Sequence, residues 1–322
     1  NKVFRLAFSI HGLKMLIHDI FRFPYRIGTL RKNVKFIKNH MNLTKKYSYK
    51  ELLSNNINEN FDLYVCGSDQ IWNPSIINKN KVLDKIYLLG FVKKGRKKIS
   101  YASSIGHHNF DKNEKNLIKK YLSDFKSIST REEQGKKIIS EIIPNKTIYH
   151  VLDPTLLLSK SQWINLFQLK PLIKKEKYIL VYSVLRKNLI KDAVTFYSKA
   201  LKMKVYSIDQ MLFSSIMVDK QIRNAGPQEF IKYFYHSNFI ITDSYHGTCF
   251  ALNFGKPFIS VIKGEKSSRI CDLLSILGKK ERHISSKKQF SKQLLEYDKV
   301  GLIDLLNNLR KNSIQYLNKN IN

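Results

Sequence analysis

Cysteine is scarce in this chain, and its three residues form no closely spaced pair. Cys66, Cys249 and Cys271 all lie inside apolar segments. A sparse, odd-numbered set of this kind favours reduced core thiols in a cytoplasmic protein over a disulfide framework. The set also lacks metal-binding spacing, so we expect neither a metal nor a cofactor.

Long apolar runs are missing as well. No stretch of about 20 apolar residues occurs, which excludes a transmembrane span. The segment from Phe4 to Phe23 is apolar at helical spacing, but charged and histidine side chains interrupt it. Without a small-residue cleavage site it does not resemble a signal peptide. As a basic amphipathic helix it would either pack against the rest of the fold or touch a membrane surface.

Acidic residues are few: 25 Asp and Glu stand against 57 Lys and Arg, for a formal charge of +32. This excess suits nucleic acid, an anionic membrane face or an anionic small substrate, but lysines scattered through the chain also fit a solvated basic surface. Aromatic-interleaved basic motifs, zinc-finger spacing and RNA-recognition signatures are absent, so we expect no nucleic-acid partner. Phosphate loops, dinucleotide fingerprints and serine-nucleophile elbows are absent too.

The 322 residues present predict two domains. Short apolar strands alternate with helical segments over residues 61–152 and again over 178–262, which predicts α/β domains with parallel sheets. The Lys-rich stretch 170–177 is the linker candidate, and we place the domains at 1–172 and 173–322. A helix over 300–317 has one apolar face and would pack back across a domain.

Polar residues follow the apolar strand 239–242 directly, in the segment Asp243-Ser244-Tyr245-His246-Gly247-Thr248. Helix N-terminal amides beside them would favour an anion. His246 is suited to proton transfer, Gly247 would let a ligand approach the backbone, and Ser244 or Thr248 could donate hydrogen bonds. The alternative is a capping cluster with Asp243 or Ser244 as the N-cap. Spacing alone does not decide between them.

A second polar segment, Gly67-Ser68-Asp69-Gln70-Ile71-Trp72-Asn73-Pro74, follows the strand at 61–66. At the end of a parallel strand, Asp69 and Gln70 would face a cleft, with Asp69 as a general base and Trp72 as a flat surface for a sugar. Alternatively, Trp72 is a core residue and Ser68-Asp69 is a turn.

Two arginines are candidate anion ligands. Arg131 follows a strand at 127–129, where a guanidinium suits bidentate binding of phosphate or carboxylate; an ion pair with Glu132 or Glu133 is the alternative. Arg269, in Ser267-Ser268-Arg269, is the second candidate. Asp153, before Pro154, would orient a basic residue or end its strand.

Taken together and in order, five segments resemble the polysaccharide pyruvyl transferase family. They are Asp62 to Asn73, Ile99 to Gly106, Ser129 to Glu132, Val151 to Thr155 and Thr242 to Pro257. The resemblance runs from about residue 61 to the C-terminus, and its most specific pieces read GSDQIWN and DSYHGTCFALNFGKPF.

The resemblance implies a fold, a reaction and residue roles. Family members have two Rossmann-like domains facing a cleft, as in GT-B glycosyltransferases, and move the enolpyruvyl group of phosphoenolpyruvate onto two sugar hydroxyls as a ketal. Arg131 matches the donor-binding arginine, His246 the active-site histidine and, less closely, Asp69 a base or acceptor ligand. The usual opening strand and Gly/Asn-containing turn are not found, so the N-terminal domain is expected to lack its first strand–helix unit.

The sequence therefore predicts a cytoplasmic transferase working on cell-surface polysaccharide, with phosphoenolpyruvate and a sugar or lipid-linked glycan as partners, at the inner face of the membrane. Two rivals stay open: a GT-B-type glycosyltransferase using a nucleotide sugar, and a non-catalytic basic protein that binds anionic glycan or membrane. The predicted catalytic residues are His246 and Asp69. The predicted substrate-binding residues are Arg131, Ser68, Gln70, Trp72, Ser244, Tyr245, Gly247, Thr248 and Arg269.

Overall fold

A computed structural model describes residues 10–54, 60–77, 80–170, 176–211 and 214–321. The predicted domain boundary at 172/173, and most of the predicted linker, lie outside these residues. The strands are β1 (Tyr64–Cys66), β2 (Lys98–Ser100), β3 (Ile128–Thr130), β4 (Ile148–His150), β5 (Tyr178–Tyr182), β6 (Lys204–Ile208), β7 (Lys220–Ile222), β8 (Phe239–Thr242), β9 (Phe258–Val261) and β10 (His283–Ile284).

The helices are α1 (Ile10–His40), α2 (Tyr49–Leu53), α3 (Pro74–Ile77), α4 (Lys112–Leu122), α5 (Glu133–Ile142), α6 (Lys160–Phe167), α7 (Asn188–Leu201), α8 (Pro227–His236), α9 (Tyr245–Asn253), α10 (Ser268–Ile276) and α11 (Leu302–Ile321). None of the helices in the described part of the chain combines the length and apolarity that crossing a bilayer requires.

The chain divides into two compact units, each drawn from three segments. The six-stranded unit holds described residues within 10–43, 160–263 and 281–298, and the four-stranded unit those within 44–159, 264–280 and 299–321. Each domain was predicted as one continuous segment.

The six-stranded unit contains one parallel sheet in the order β10-β9-β8-β5-β6-β7. β8 and β9 are buried along their whole length and β5 nearly so, as expected for parallel strands covered on both faces. From β5 the chain moves to β6 on one side and later to β8 on the other. The carboxyl ends of β5 and β8 therefore form a topological switch point, where open α/β sheets bind ligands.

The four-stranded unit pairs β1 with β2 and β3 with β4, all parallel. Isolated bridges, including Ile99 with Ser127, join the two pairs. The helix predicted over 300–317 is α11, and it packs on this unit: the Tyr316 hydroxyl donates to the Ser100 carbonyl at 2.8 Å, and Ser313 Oγ accepts from Leu152 N at 2.9 Å. The predicted α/β class with parallel sheets is confirmed.

Candidate active site

Asp243, directly after β8, is bonded to the loop that follows β5. Its carboxylate accepts hydrogen bonds from Ser183 Oγ (2.6 Å) and from the backbone N–H groups of Val184 (2.6 Å) and Leu185 (3.0 Å). The residue is only 5% exposed. Asp243 therefore ties together the two strand ends of the switch point, and its oxygens face protein donors.

Ser244 is the N-cap of α9, so the capping interpretation holds for this residue. Its Oγ accepts from Gly247 N at 3.4 Å, and its own N–H donates to Thr242 Oγ1 at 3.1 Å. Thr242 Oγ1 in turn donates to the Tyr182 carbonyl at 2.7 Å. The start of α9 is thus fixed to the ends of β8 and β5 by a short chain of hydrogen bonds.

Gly247 serves packing and not ligand approach, which corrects the sequence-based expectation. A Cβ at this position would lie 2.3 Å from Thr242 Oγ1 and 3.2 Å from Tyr182 Cδ1. The space beside the glycine is occupied by protein, because α9 lies close against the strand ends. Glycine is the residue type that this contact admits.

Thr248 and Tyr245 are also turned into the fold. Thr248 is fully buried, with Oγ1 bonded to the Ser244 carbonyl (3.0 Å) and to Ser260 Oγ (2.7 Å). Tyr245 is mostly buried and meets the His246 ring edge-on, with ring centroids 5.7 Å apart. His246 is the partly exposed side chain of the segment Asp243–Thr248, in the first turn of α9. The predicted catalytic role of His246 stays a prediction.

Arginines that the sequence analysis did not single out belong to the same unit. Arg186, after β5, makes two hydrogen bonds to Asp209, which follows β6, at 2.8 and 3.3 Å. Arg22 lies 3.7 Å and Arg26 4.0 Å from Asp19. Burial and the charges of Arg26 and Arg186 lower the pKa of Arg22. The cluster therefore sets three guanidinium groups against two carboxylates, and a bound anion would relieve the repulsion.

In the four-stranded unit, Arg131 follows β3 and is enclosed by carboxylates. Its side chain is fully buried, with Nε 3.1 Å from Glu132 Oε1, one terminal nitrogen 2.8 Å from Asp153 Oδ2 and the other 3.3 Å from Asp69 Oδ1. The ion-pair alternative holds for Glu132, whereas Glu133 pairs with Lys136. In this conformation the guanidinium faces carboxylates and not solvent.

Glu132 is a buried carboxylate of this network whose charged form is disfavoured. Its Oε1 also accepts from Ser104 Oγ at 2.7 Å, while Oε2 has no hydrogen-bond partner among the described residues. Burial raises the pKa of Glu132, against the opposing effect of Arg131. One guanidinium faces three carboxylates, so a proton on Glu132 lessens their repulsion.

Asp69 is the exposed member of the same network. Its side chain is 61% exposed although it reaches Arg131, and its backbone adopts the left-handed conformation that Asp tolerates (φ 66°). Gln70 is turned toward its neighbours: its Oε1 accepts from Asn73 Nδ2 at 2.9 Å. Ser68 Oγ is buried without a partner in the described residues. Asp69 is therefore the carboxylate of this network that is accessible to solvent.

Trp72 is a core residue, which corrects the expectation that it stacks on a sugar. Its indole is fully buried and donates from Nε1 to the Tyr87 carbonyl at 3.1 Å. Tyr101 is also buried, at 6% exposed, and donates to the Leu152 carbonyl at 2.8 Å. Both rings fill space between the strands and helices of their unit.

Arg269 lies in the first turn of α10, in the same unit as Arg131. It is partly exposed, and its charge acts on Glu132, whose pKa it lowers slightly against the larger effect of burial. Arg269 is therefore the more accessible of the two predicted arginines. Within the described ranges, no group of three or more His, Cys, Asp and Glu side chains is arranged to hold a metal ion.

The family model described as polysaccharide pyruvyl transferase matches residues 11–262. The chain belongs to this family. The match extends the resemblance to the N-terminal helix α1, which carries Arg22 and Arg26. It supports a transferase, and it includes every predicted site residue except Arg269. No curated protein sequence matches the chain.

Solved structures similar to this pyruvyl transferase family member are distant. One, from Listeria monocytogenes and named as a UDP-N-acetylglucosamine 2-epimerase, has a TM-score of 0.44 and 12% identity over 81% of this chain and 71% of the other. UDP-GlcNAc 2-epimerase from Neisseria meningitidis, bound to UDP-GlcNAc, has a TM-score of 0.40 and 14% identity over 74% of each chain. Such low TM-scores support no conclusion about the fold or the ligand.

Proposed function

We propose that this protein transfers the pyruvyl group of phosphoenolpyruvate onto two hydroxyls of a sugar, within the biosynthesis of a cell-surface polysaccharide. In the reaction, C3 of the donor gains a proton while C2 bonds to the first sugar oxygen. The second sugar oxygen then displaces phosphate from C2, and its proton leaves with the phosphate. The products are the ketal and inorganic phosphate, so the atoms balance without a redox partner.

The observation that carries the proposal is the environment of His246. The side chains of Asp243, Ser244 and Thr248 are bonded within the fold, whereas the imidazole is partly exposed at the N-terminus of α9. Protonation of the donor C3 needs an acid that works near neutral pH, and histidine is the side chain suited to it. We assign His246 as this acid.

Asp69 is the proposed base for the acceptor hydroxyl. Its side chain is exposed, and its Oδ1 accepts a hydrogen bond from Arg131 at 3.3 Å, which fixes its position. Because Arg131 is buried among three carboxylates, we assign it to orient Asp69 and Asp153 and not to bind the donor directly. This changes the role that the family resemblance implies.

Other groups would bind the carboxylate and phosphate of the donor. Arg269 is one candidate, and the cluster of Arg22, Arg26 and Arg186 is another; these cations are at least partly exposed to solvent. The N-terminal amides of α9 add partial positive charge. The proposed reaction therefore uses arginines and backbone amides for anion binding, without a metal or cofactor, and a cytoplasmic location would give access to phosphoenolpyruvate.

Product analysis tests this proposal. The protein is incubated with phosphoenolpyruvate and candidate sugar or lipid-linked glycans, and phosphate release is measured together with the mass gain of the glycan. We expect both, in equal amounts. Thermal stabilisation by phosphoenolpyruvate should accompany them. Stabilisation by a nucleotide diphosphate alone, with transfer of a sugar, would instead support the glycosyltransferase, and salt-sensitive glycan binding without turnover would support the non-catalytic protein.

A further inference from the structure

Helix α1 is fixed to the six-stranded unit along one face. Arg22 Nε donates to the Gln210 carbonyl at 2.8 Å, and Lys32 Nζ donates to the Asn224 carbonyl at 2.9 Å. Lys32 also pairs with Glu229 of α8 at 2.6 Å. These contacts span about three turns of α1 and determine which face points outward.

The opposite face carries an apolar stripe. Seven apolar residues recur at alternating intervals of three and four, which places them on one side of a helix. The stripe consists of Ile20, Phe23, Ile27, Leu30, Val34 and Ile37 of α1, and of Met41 directly after its end. Ile20 is 49% exposed, Leu30 58%, Val34 42% and Met41 53%. Exposure of this many large apolar side chains in a line calls for a partner.

The border of the stripe is basic. Arg31, Lys35 and Lys38 are exposed, and each follows a stripe residue directly in sequence. Asp19 is the one acidic residue in the sequence of α1, and it is buried beside Arg22. The outward side of α1 from Ile20 onward thus combines apolar and cationic side chains, as in helices that lie in the plane of an anionic membrane.

We propose that the apolar stripe of α1 lies in the interface of an anionic lipid bilayer, with Arg31, Lys35 and Lys38 at the headgroups. A second copy of the chain is a poorer occupant. Residues flanking a helix–helix seam usually form pairs of opposite charge, whereas Arg26, Arg31 and Lys38 would face only cations and neutral residues of an identical helix. Lysine and arginine stems can extend along an apolar face while their charges reach phosphate groups. The proposal does not depend on the transfer reaction.

Vesicle sedimentation with the whole chain tests the stripe. We expect the protein to sediment with vesicles of phosphatidylglycerol and phosphatidylcholine, and much less with phosphatidylcholine alone. The double variant Leu30→Gln/Val34→Gln should bind about tenfold more weakly. The matched control is Met217→Gln/Val300→Gln, because these residues are 91% and 86% exposed and lie off the helix. It should bind like the wild type.

A second pair of variants tests the charges. Arg31→Gln/Lys35→Gln/Lys38→Gln should lose most binding to the anionic vesicles. Removal of three exposed cations elsewhere, in Lys93→Gln/Lys94→Gln/Arg96→Gln, should change it little. Circular dichroism checks that each variant folds.

Three outcomes would overturn the proposal. One is no sedimentation of the wild type with anionic vesicles. Another is equal loss in a variant and its control, which would mean binding by the basic surface as a whole. The third is a wild-type dimer that Leu30→Gln/Val34→Gln converts to a monomer without any vesicle binding, which would assign the stripe to self-association.

Discussion

Replacement of Gly247 by alanine should destabilise the six-stranded unit even though alanine is the better helix former. The new Cβ would meet Thr242 Oγ1 at 2.3 Å, well inside van der Waals contact. That hydroxyl cannot simply rotate away, because it donates to the Tyr182 carbonyl and accepts from Ser244 N. Relief of the clash must therefore break one of these bonds or move α9.

The expected cost follows from opposing effects. Alanine in place of glycine inside a helix gains about 0.5–1 kcal/mol. Overpacking costs about 1–3 kcal/mol, and each buried hydrogen bond lost costs about 1 kcal/mol more. We expect Gly247→Ala to lower the free energy of unfolding by about 1–3 kcal/mol.

Gly135 provides the matched control, since it too is the buried third residue of a helix, in α5. A Cβ there would lie 3.4 Å from Thr130 Cβ and 3.7 Å from Ile105 Cγ1, which is close to ordinary contact. Gly135→Ala should therefore be neutral or stabilising, by up to about 1 kcal/mol.

Urea unfolding followed by tryptophan fluorescence measures both variants. Trp163 meets Phe250 of α9 edge-on at 5.5 Å and reports on the six-stranded unit, whereas Trp72 reports on the other unit. A Gly247→Ala protein as stable as Gly135→Ala would refute the packing account and restore the ligand-approach interpretation of Gly247.

Three further predictions concern the buried charges. Glu132→Gln should become more stable relative to the wild type as pH rises. Because the pKa of Glu132 is raised on folding, the folded wild type holds a proton that the unfolded chain releases, and its free energy of unfolding falls between the unfolded and the folded pKa. Free energies of unfolding that run parallel for wild type and variant across this range would contradict the prediction. Arg131→Met should cost about 3–5 kcal/mol in urea unfolding, because buried carboxylates lose their counter-ion, and a cost below about 1 kcal/mol would show that they are neutral without it. Asp243→Asn should cost about 2–3 kcal/mol, because an amide N–H₂ would face a backbone or hydroxyl donor; an unchanged unfolding midpoint would mean that these bonds add little.

Regular elements with a strong apolar period could be predicted from the sequence. Apolar runs and helical periodicity predict helices over 188–201 and 227–236 and strands over 204–208 and 239–242. The structure has α7, α8, β6 and β8 at these bounds. The short edge strands β7 and β10 were not predicted, since three and two residues carry too little pattern. Apolar spacing alone predicts a helical turn or two over 249–254, whereas α9 begins at Tyr245, directly after the N-cap Ser244.

The site was predictable only in part, because partners distant in sequence determine its geometry. Glu132 was predicted as a partner of Arg131 because the two are adjacent. The other two partners lie far from Arg131 in sequence, Asp69 by 62 residues and Asp153 by 22. Asp153 was expected to orient a basic residue or to end its strand, and it does bind a basic residue, Arg131, while also accepting from Thr155 N. The burial of Trp72 depends on tertiary packing, which spacing does not reveal.

The role of His246 in pyruvyl transfer is tested most directly by the reaction in D₂O. The wild type should release phosphate from phosphoenolpyruvate and yield a ketal whose methyl group carries deuterium, because C3 receives a proton exchanged with solvent. His246→Gln should lower the rate by about 10²–10⁴-fold, whereas His40→Gln, at an exposed histidine of α1, should not change it. Deuterated ketal formed by His246→Gln at the wild-type rate would contradict the assignment.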